Sequence, residues 1–423
     1  MSKSRIATPA VLLVLLAAAA FSQDRFPRPE FESGYTLPRI QEPQPRPEAW
    51  LVVDAAALAA AITVSAVLVL GKRSRTGIVA LSAFSLVYFG FVRKGCICPI
   101  GSIQNVAQSL FDPAYGISIP TAVFFILPIA AALFTGRTYC AGVCPFGALQ
   151  DLVHVKTLRV PAWADRALSV IPFLYLGFAV LSAATGIGYF ICRWDPFVGF
   201  FRFSMTLPMA VFSAIILASS LFIGRPYCRW LCPYGAVLSC ASALSRRHAT
   251  IAPGECVDCR LCEQSCPVDA ILLPVERPRG REAARLSAGL RRLLLLAPGM
   301  LAAGALAGFL SSGLIAPLHP DVALAAQVAR ETEFDRGSTP QSAAFLASGA
   351  PLSELEAAAE RASASITVGS TLFGIFASVV FFVFLVSSYR IRKAEGYRIH
   401  QGRCVSCARC FEYCPVRKER KAT

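Results

Sequence analysis

The sequence predicts an all-α polytopic membrane protein of about seven spans after an N-terminal signal peptide or anchor, carrying a small cysteine-rich module split between two distant segments. Three observations predict it. The chain has 423 residues and is 55% apolar, with long apolar runs near 51–71, 76–92, 118–135, 168–190, 207–223, 291–315 and 367–388. Most of the runs are long enough to cross a hydrocarbon core of about 30 Å. Twelve of the sixteen cysteines fall into regular clusters that end in Cys-Pro. That pattern points to metal ligation rather than to a disulfide scaffold.

Residues 1–22 carry Lys3 and Arg5 before an apolar stretch from Val11 to Phe21, the length of a signal-peptide core and short for a span. Residues 23–50, rich in proline and charge, are expected to be an extended extracytoplasmic segment. Residues 51–253 form the membrane core with the Cys-Pro motifs, and 254–275 the first half of the cysteine-rich module. Residues 276–395 add two further spans around an acidic, alanine-rich outer loop at 316–366. Residues 396–423 supply the second half.

A net charge of +15 raises the question of nucleic acid, and its distribution answers it. With the Gly-Arg-x-Tyr-Cys loops placed inside, 30 of the 41 Lys and Arg fall on the cytoplasmic side. That is the positive-inside rule of a bacterial cytoplasmic membrane protein. No nucleic-acid partner is expected. The four histidines, His154, His248, His319 and His400, all lie outside the apolar runs. A haem held between membrane helices is therefore not expected.

One pattern occurs twice at span ends. Gly136-Arg137-x-Tyr139-Cys140-x3-Cys144-Pro145-Phe146-Gly147-Ala148 is matched by Gly224-Arg225-x-Tyr227-Cys228-x3-Cys232-Pro233-Tyr234-Gly235-Ala236. Proline favours the first helical position and so puts Cys144 and Cys232 at helix N-caps. Anions there are stabilised by free N–H groups and the helix dipole. Cys140, Cys144, Cys228 and Cys232 have the number and type of ligands for one inner tetrathiolate cluster. Helix-cap thiols or a redox dithiol are the alternatives. Arg137 and Arg225 either offset the charge of such a cluster or anchor the span ends.

Two degenerate copies lie on the outer face by span parity. Cys96-Ile97-Cys98-Pro99-Ile100-Gly101-Ser102-Ile103-Gln104 parallels Cys144-Pro145-Phe146-Gly147-Ala148-Leu149-Gln150. Cys192-Arg193-Trp194-Asp195-Pro196 has Asp195 where a cysteine would stand. Cys96, Cys98, Cys192 and Asp195 are a candidate outer metal centre, with a disulfide as the alternative on an oxidising face. Inner and outer sites at span ends would be separated by much of the roughly 30 Å core, unless the turns dip inward or a quinone or another centre bridges them. Cys240 is unmatched and is expected to be a small buried hydrophobe.

The cysteine-rich halves are Cys256-x2-Cys259-x2-Cys262-x3-Cys266-Pro267 and Cys404-x2-Cys407-x2-Cys410-x3-Cys414-Pro415. This is the bacterial ferredoxin run, whose fourth cysteine ligates the other cluster in two-cluster proteins. Cys256, Cys259, Cys262 and Cys414 are expected to hold one [4Fe–4S], and Cys404, Cys407, Cys410 and Cys266 the other. Zinc, which prefers two separated pairs, is the alternative.

At these motifs the chain resembles the NosR/NapH-type family of polytopic membrane polyferredoxins, over roughly residues 76–275. The resemblance implies electron transfer between a cytoplasmic or membrane donor, a reductant or quinol, and an extracytoplasmic redox partner. Family members of the NosR type carry an outer flavin-binding domain. Residues 23–50 leave no room for one, so any flavin is expected on a partner. The split ferredoxin and the outer Cys-x-Cys-Pro depart from the family pattern. Two other roles stay open: a one-sided quinol/ferredoxin oxidoreductase subunit, and a redox-sensing or assembly factor for a periplasmic metalloenzyme. The acidic outer loop is either a docking face or simply solvated.

Overall fold

Helices account for nearly all of the regular structure in the computed structural model, which describes residues 47–95, 98–251, 256–274, 281–334, 339–389 and 396–416. The signal or anchor, nearly all of the extended segment after it, and Cys96 lie outside the described residues. Among the described residues, five helical stretches are long and apolar enough to cross a membrane: Ala49–Gly71, Arg75–Val92, Ala162–Ala184, Leu286–Leu318 and Leu352–Tyr389. The runs expected near 118–135 and 207–223 form shorter apolar helices, Ile119–Thr135 and Leu207–Ser220. The run expected at 168–190 begins earlier, at Ala162, and ends at Ala184.

Helices α1 (Glu48–Ala66) and α2 (Arg75–Ser85) form the first hairpin, and each continues into a wider π turn, Val67–Gly71 and Leu86–Val92. Ser74 caps α2 by accepting from the Gly77 amide at 3.2 Å. Buried Asp54 on α1 pairs with Arg93 at 2.6 Å and accepts the Tyr88 hydroxyl at 2.9 Å. An ionised side chain inside a bilayer is tolerated when paired in this way.

The Cys-Pro turns follow. Helix α3 (Pro99–Phe111) leads to α4 (Ile119–Thr135), and α5 (Thr138–Gly142) to α6 (Pro145–Val153). Next come α7 (Ala162–Leu168) and α8 (Ile171–Ala184), then α9 (Phe190–Trp194) and α10 (Pro196–Arg202). Helix α11 (Leu207–Ser220) precedes α12 (Pro226–Trp230) and α13 (Pro233–Ala243). The 14 residues of α11 rise only about 21 Å, less than the apolar thickness of a bilayer. The Cys-Pro turn that follows it is buried at Tyr227, Trp230 and Cys232. Every residue of α5 is buried, and so is every residue of α6 except Leu152.

Helices α15 (Arg281–Ile315) and α18 (Leu352–Tyr389) pack antiparallel along a seam of small residues. Gly304 and Gly308 meet Ser370, Gly374 and Ser378 so closely that a Cβ on Gly304 or Gly374 would strike the other's backbone. Small residues at four-residue spacing commonly serve this purpose in membranes. The acidic loop between them is helical, as α16 (Pro320–Phe334) and α17 (Pro340–Ala347).

The two cysteine-rich halves meet. Strands β1 (Ile271–Leu272) and β2 (Arg398–Ile399) pair antiparallel, Ile271 with Ile399 and Leu272 with Arg398. The short helices α14 (Leu261–Ser265) and α19 (Arg409–Glu412) pack together beside this ribbon. Residues more than a hundred positions apart thus form one module.

Candidate iron–sulfur centres

In each ferredoxin run the residues on either side of the second cysteine are left-handed: Asp258 and Arg260 around Cys259, Ser406 and Ala408 around Cys407. Alternation of right- and left-handed residues turns successive N–H groups inward and makes a concavity that favours an anion. Cys256, Cys259, Cys262, Cys410 and Cys414 line one cavity of about 120 Å³, together with Arg73 and Arg260. Cys266 is within electrostatic reach of Cys407, and Cys404 of both. Burial pushes the Cys404 thiol up to about 12 and the Cys266 thiol up to about 11. Backbone amides oppose this: Ser406 N donates to Cys404 Sγ at 3.4 Å, and Ala270 N to Cys266 Sγ at 3.3 Å. Among the described residues no three His, Cys, Asp or Glu side chains converge closely enough to hold a single ion. A zinc ion needs its sulfurs about 2.3 Å from one point, whereas a cage cluster is held at separated corners.

The module is anchored to the Cys-x3-Cys-Pro region. Arg75 donates to Cys407 O at 3.1 Å and pairs with Asp151 at 2.7 Å. Arg409 reaches the same carboxylate at 3.1 Å. Arg137 donates to Gly402 O at 3.1 Å, and Ser239 accompanies it at 2.9 Å. On the other flank, Asp165 accepts from Arg229 at 2.7 Å, Trp230 at 3.0 Å and Arg403 at 3.0 Å.

Within the bundle the two repeat copies exchange arms. Arg225 of the second copy donates to Cys140 O and, at 2.9 Å, to Ala141 O of the first. A Cβ on Gly147 would lie 3.3 Å from its Nη1. Reciprocally, a Cβ on Gly235 would lie 3.3 Å from Nη2 of Arg137 and 3.1 Å from Cys228 O. The glycine of the motif is therefore the opening through which the opposite copy's arginine passes. Both guanidinium groups are buried, with Nε making no hydrogen bond, and both are in electrostatic reach of Cys140 and Cys228. Buried cations with a donor to spare, set among four thiols, suit a centre that carries net negative charge. Gly235 N donates to Cys232 Sγ at 3.2 Å, as an N-cap should.

Gln150 fastens the copies together. Its Oε1 accepts the Tyr227 amide at 3.0 Å and its Nε2 donates to Cys228 Sγ at 3.3 Å. Sequence reasoning recorded Gln104 and Gln150 as matched positions without assigning them a role. It did not single out Asp151 or Asp165, whose partners lie in other segments.

Of the outer candidates, Cys98 and Cys192 are free thiols rather than a disulfide. Asp195 is buried and in electrostatic reach of both, and it faces the Tyr227 hydroxyl at 3.5 Å. Cys98 also feels Cys144 of the inner set. Tyr139 and Tyr234 lie within reach of cysteines from both sets. Cys240 departs from expectation. It is exposed on α13, because Tyr234, Leu238 and Ala241 occupy the buried stripe of that helix.

A family described as a 4Fe-4S binding domain matches residues 77–118, 117–163 and 205–251, and a further 4Fe-4S binding domain matches residues 249–272. The chain is 30% identical over 194 residues to a putative electron transport protein, YccM, of Escherichia coli, covering 40% of this chain and 52% of that one. It is 31% identical over 218 residues to the protein NirI of Paracoccus denitrificans, covering 48% of this chain and 32% of that one. It is 29% identical over 229 residues to the regulatory protein NosR of Pseudomonas aeruginosa, covering 47% of this chain and 30% of that one. The match thus spans about half the length of the first of these relatives and about a third of the others. No solved structure matches. With the Cys-x3-Cys-Pro pairs and the first ferredoxin run inside the matched regions, the matches support a NosR/NapH-type family of 4Fe–4S polyferredoxin proteins.

Proposed function

We propose that this protein carries electrons across the bacterial cytoplasmic membrane, from a cytoplasmic or membrane donor to an extracytoplasmic redox partner. The observation that carries this reading is the continuity of the thiols. The ferredoxin module is bolted to the Cys-x3-Cys-Pro region through Arg75, Arg137 and Arg409, and that region lies within electrostatic reach of Cys98 on the opposite Cys-Pro turn. A [4Fe–4S] cluster supplies one-electron transfer without bond rearrangement.

The residues have separable tasks. Cys256, Cys259, Cys262 and Cys414 would hold one ferredoxin cluster, and Cys404, Cys407, Cys410 and Cys266 the other. Cys140, Cys144, Cys228 and Cys232 would hold the third, inside the bundle. Arg137 and Arg225 supply the positive charge that lets an anionic centre sit out of water. Tyr139, Tyr227 and Tyr234, all buried, exclude water between the inner and outer turns. In this reading the ferredoxin face is cytoplasmic, as the basic residues beside it suggest.

Two measurements test the proposal. Anaerobically purified protein should contain at least about twelve irons and as many acid-labile sulfides per chain. Vesicles loaded with reductant on the ferredoxin side should reduce an impermeant acceptor on the other. Full iron loading with no transfer, in vesicles where a control carrier works, would overturn transmembrane conduction and favour quinol chemistry on one face.

A further inference from the structure

The outer Cys-Pro turns repeat the glutamine–amide contact that docks the inner pair. In the inner pair, Gln150 lies six positions after Cys144 and accepts the amide of Tyr227, the residue before Cys228, at 3.0 Å. In the outer pair, Gln104 lies six positions after Cys98 and accepts the amide of Ile191, the residue before Cys192, at 2.8 Å. Both glutamines are 0% exposed. Gln104 also donates to Gly188 O at 3.3 Å and Ser182 Oγ at 3.4 Å, which holds the loop before α9 in register.

The glycine of the motif is reused as well. At Gly147 the space left by the missing side chain is filled by Arg225 of the partner copy; at Gly101 it is filled by the sulfur of Cys192, 3.2 Å from where a Cβ would stand. This brings Cys192 Sγ to within one helical turn of the Cys98 N-cap. Asp195 stands before Pro196 as Cys144 and Cys232 stand before Pro145 and Pro233. It is 3% exposed and electrostatically coupled to both thiols. Two thiols and a carboxylate are thus presented by two segments joined by the same glutamine–amide contact as the inner copies, with Asp195 one position nearer to its cysteine than Cys232 is to Cys228. The matched 4Fe-4S stretches include Cys98 and leave out Cys192 and Asp195.

We propose that Cys98, Cys192 and Asp195 ligate a further iron–sulfur cluster, with mixed thiolate and carboxylate ligation, separate from the inner tetracysteine cluster. As a route outward this rests on the reading given under Proposed function; as a metal site it stands on its own geometry. Cys96 lies outside the described residues and takes no part in the argument. Carboxylate ligation leaves one iron on a harder, more exchangeable donor than thiolate.

The test uses full-length protein purified anaerobically, with iron, sulfide and redox-titrated EPR measured together. Cys192→Ser and Asp195→Ala should each remove about two to four irons per chain, and one EPR signal, while the ferredoxin and inner-cluster signals keep their midpoints. Asp195→Cys should keep the iron and move the g-values and midpoint of that one signal, a result that a purely structural aspartate would not give. Serine is nearly isosteric with cysteine, so Cys192→Ser keeps the contact at Gly101. Unchanged iron and an unchanged set of signals in Cys192→Ser and Asp195→Ala would overturn the site. Absence of the ferredoxin and inner signals in the wild type would instead overturn the reading above, with the outer site still judged by its own signal.

Discussion

Arg225 occupies the space that a side chain on Gly147 would need. Its Nη1 lies 3.3 Å from the position of that absent Cβ while donating to the carbonyl of Cys140. The two copies of the motif are therefore not independent half-sites. Each completes the other by threading an arginine through its glycine.

A substitution at Gly147 should accordingly act on both copies. Gly147→Val is expected to expel Arg225 from its seat and abolish the inner centre, removing about four irons per chain. The ferredoxin EPR signals should survive. Arg225→Lys should not rescue function, because an ammonium cannot fork between Cys140 O, Ala141 O and Asp151 as a guanidinium does. Iron analysis beside EPR checks both statements.

The cavity shared by Cys256, Cys259, Cys262 and Cys414 leads to a second prediction. Cys414→Ser should alter the spectrum of the cluster held by the first run and leave that of Cys404, Cys407 and Cys410 nearly unchanged. A perturbation confined to the C-terminal run would show that each run keeps its own fourth cysteine.

The pairing of Asp54 with Arg93 predicts a non-additive double mutant. Removing one partner of a buried pair costs about 3–5 kcal/mol, because the charge of the other is left uncompensated. Arg93→Met alone should lower the detergent-solubilised melting temperature markedly. Asp54→Leu combined with Arg93→Met should recover most of the loss. A double mutant no better than the worse single would show that the pair does more than neutralise itself.

The ferredoxin thiols give a pH dependence. Burial holds Cys404 and Cys266 in the protonated form, with pKa values of about 12 and about 11. A folded pKa above the unfolded one stabilises the fold fully at low pH, and that contribution is lost as pH rises. In the metal-free chain the loss begins near the ordinary thiol range, about pH 8.5, and is complete above the folded values. The metal-free protein should therefore melt at progressively lower temperature above that range, while the loaded protein should not. Loading with iron and sulfide at neutral pH should release protons, measurable in a weakly buffered titration.

Much of this was legible in the sequence because the chemistry is local. Cys-Pro announces a helix start, and the ferredoxin spacing announces a 4Fe–4S binding stretch. The helix pair around the acidic loop follows from composition. What the sequence hid depends on partners brought together by the fold. Gln104 and Gln150 look like ordinary helix residues until the amides of Ile191 and Tyr227 are placed against them. Asp151 gives no sign of joining Arg75, Arg225 and Arg409. The electrostatic reach between Cys98 and Cys144 was likewise hidden, because it depends on how the two turns pack together.

The β1–β2 ribbon has a consequence for how the protein is made. Ile271 must wait for Ile399, and between them the ribosome has to deliver both long helices of the α15–α18 hairpin. In the crossed arrangement proposed for the two ferredoxin clusters, neither ligand set is complete until Cys404 to Cys414 follow the hairpin out of the ribosome. Cofactor loading of the module would then follow synthesis of the hairpin, and a chain whose hairpin inserts wrongly could not be charged. The split would work as a proofreading step, in which correct membrane insertion is the condition for becoming redox-active.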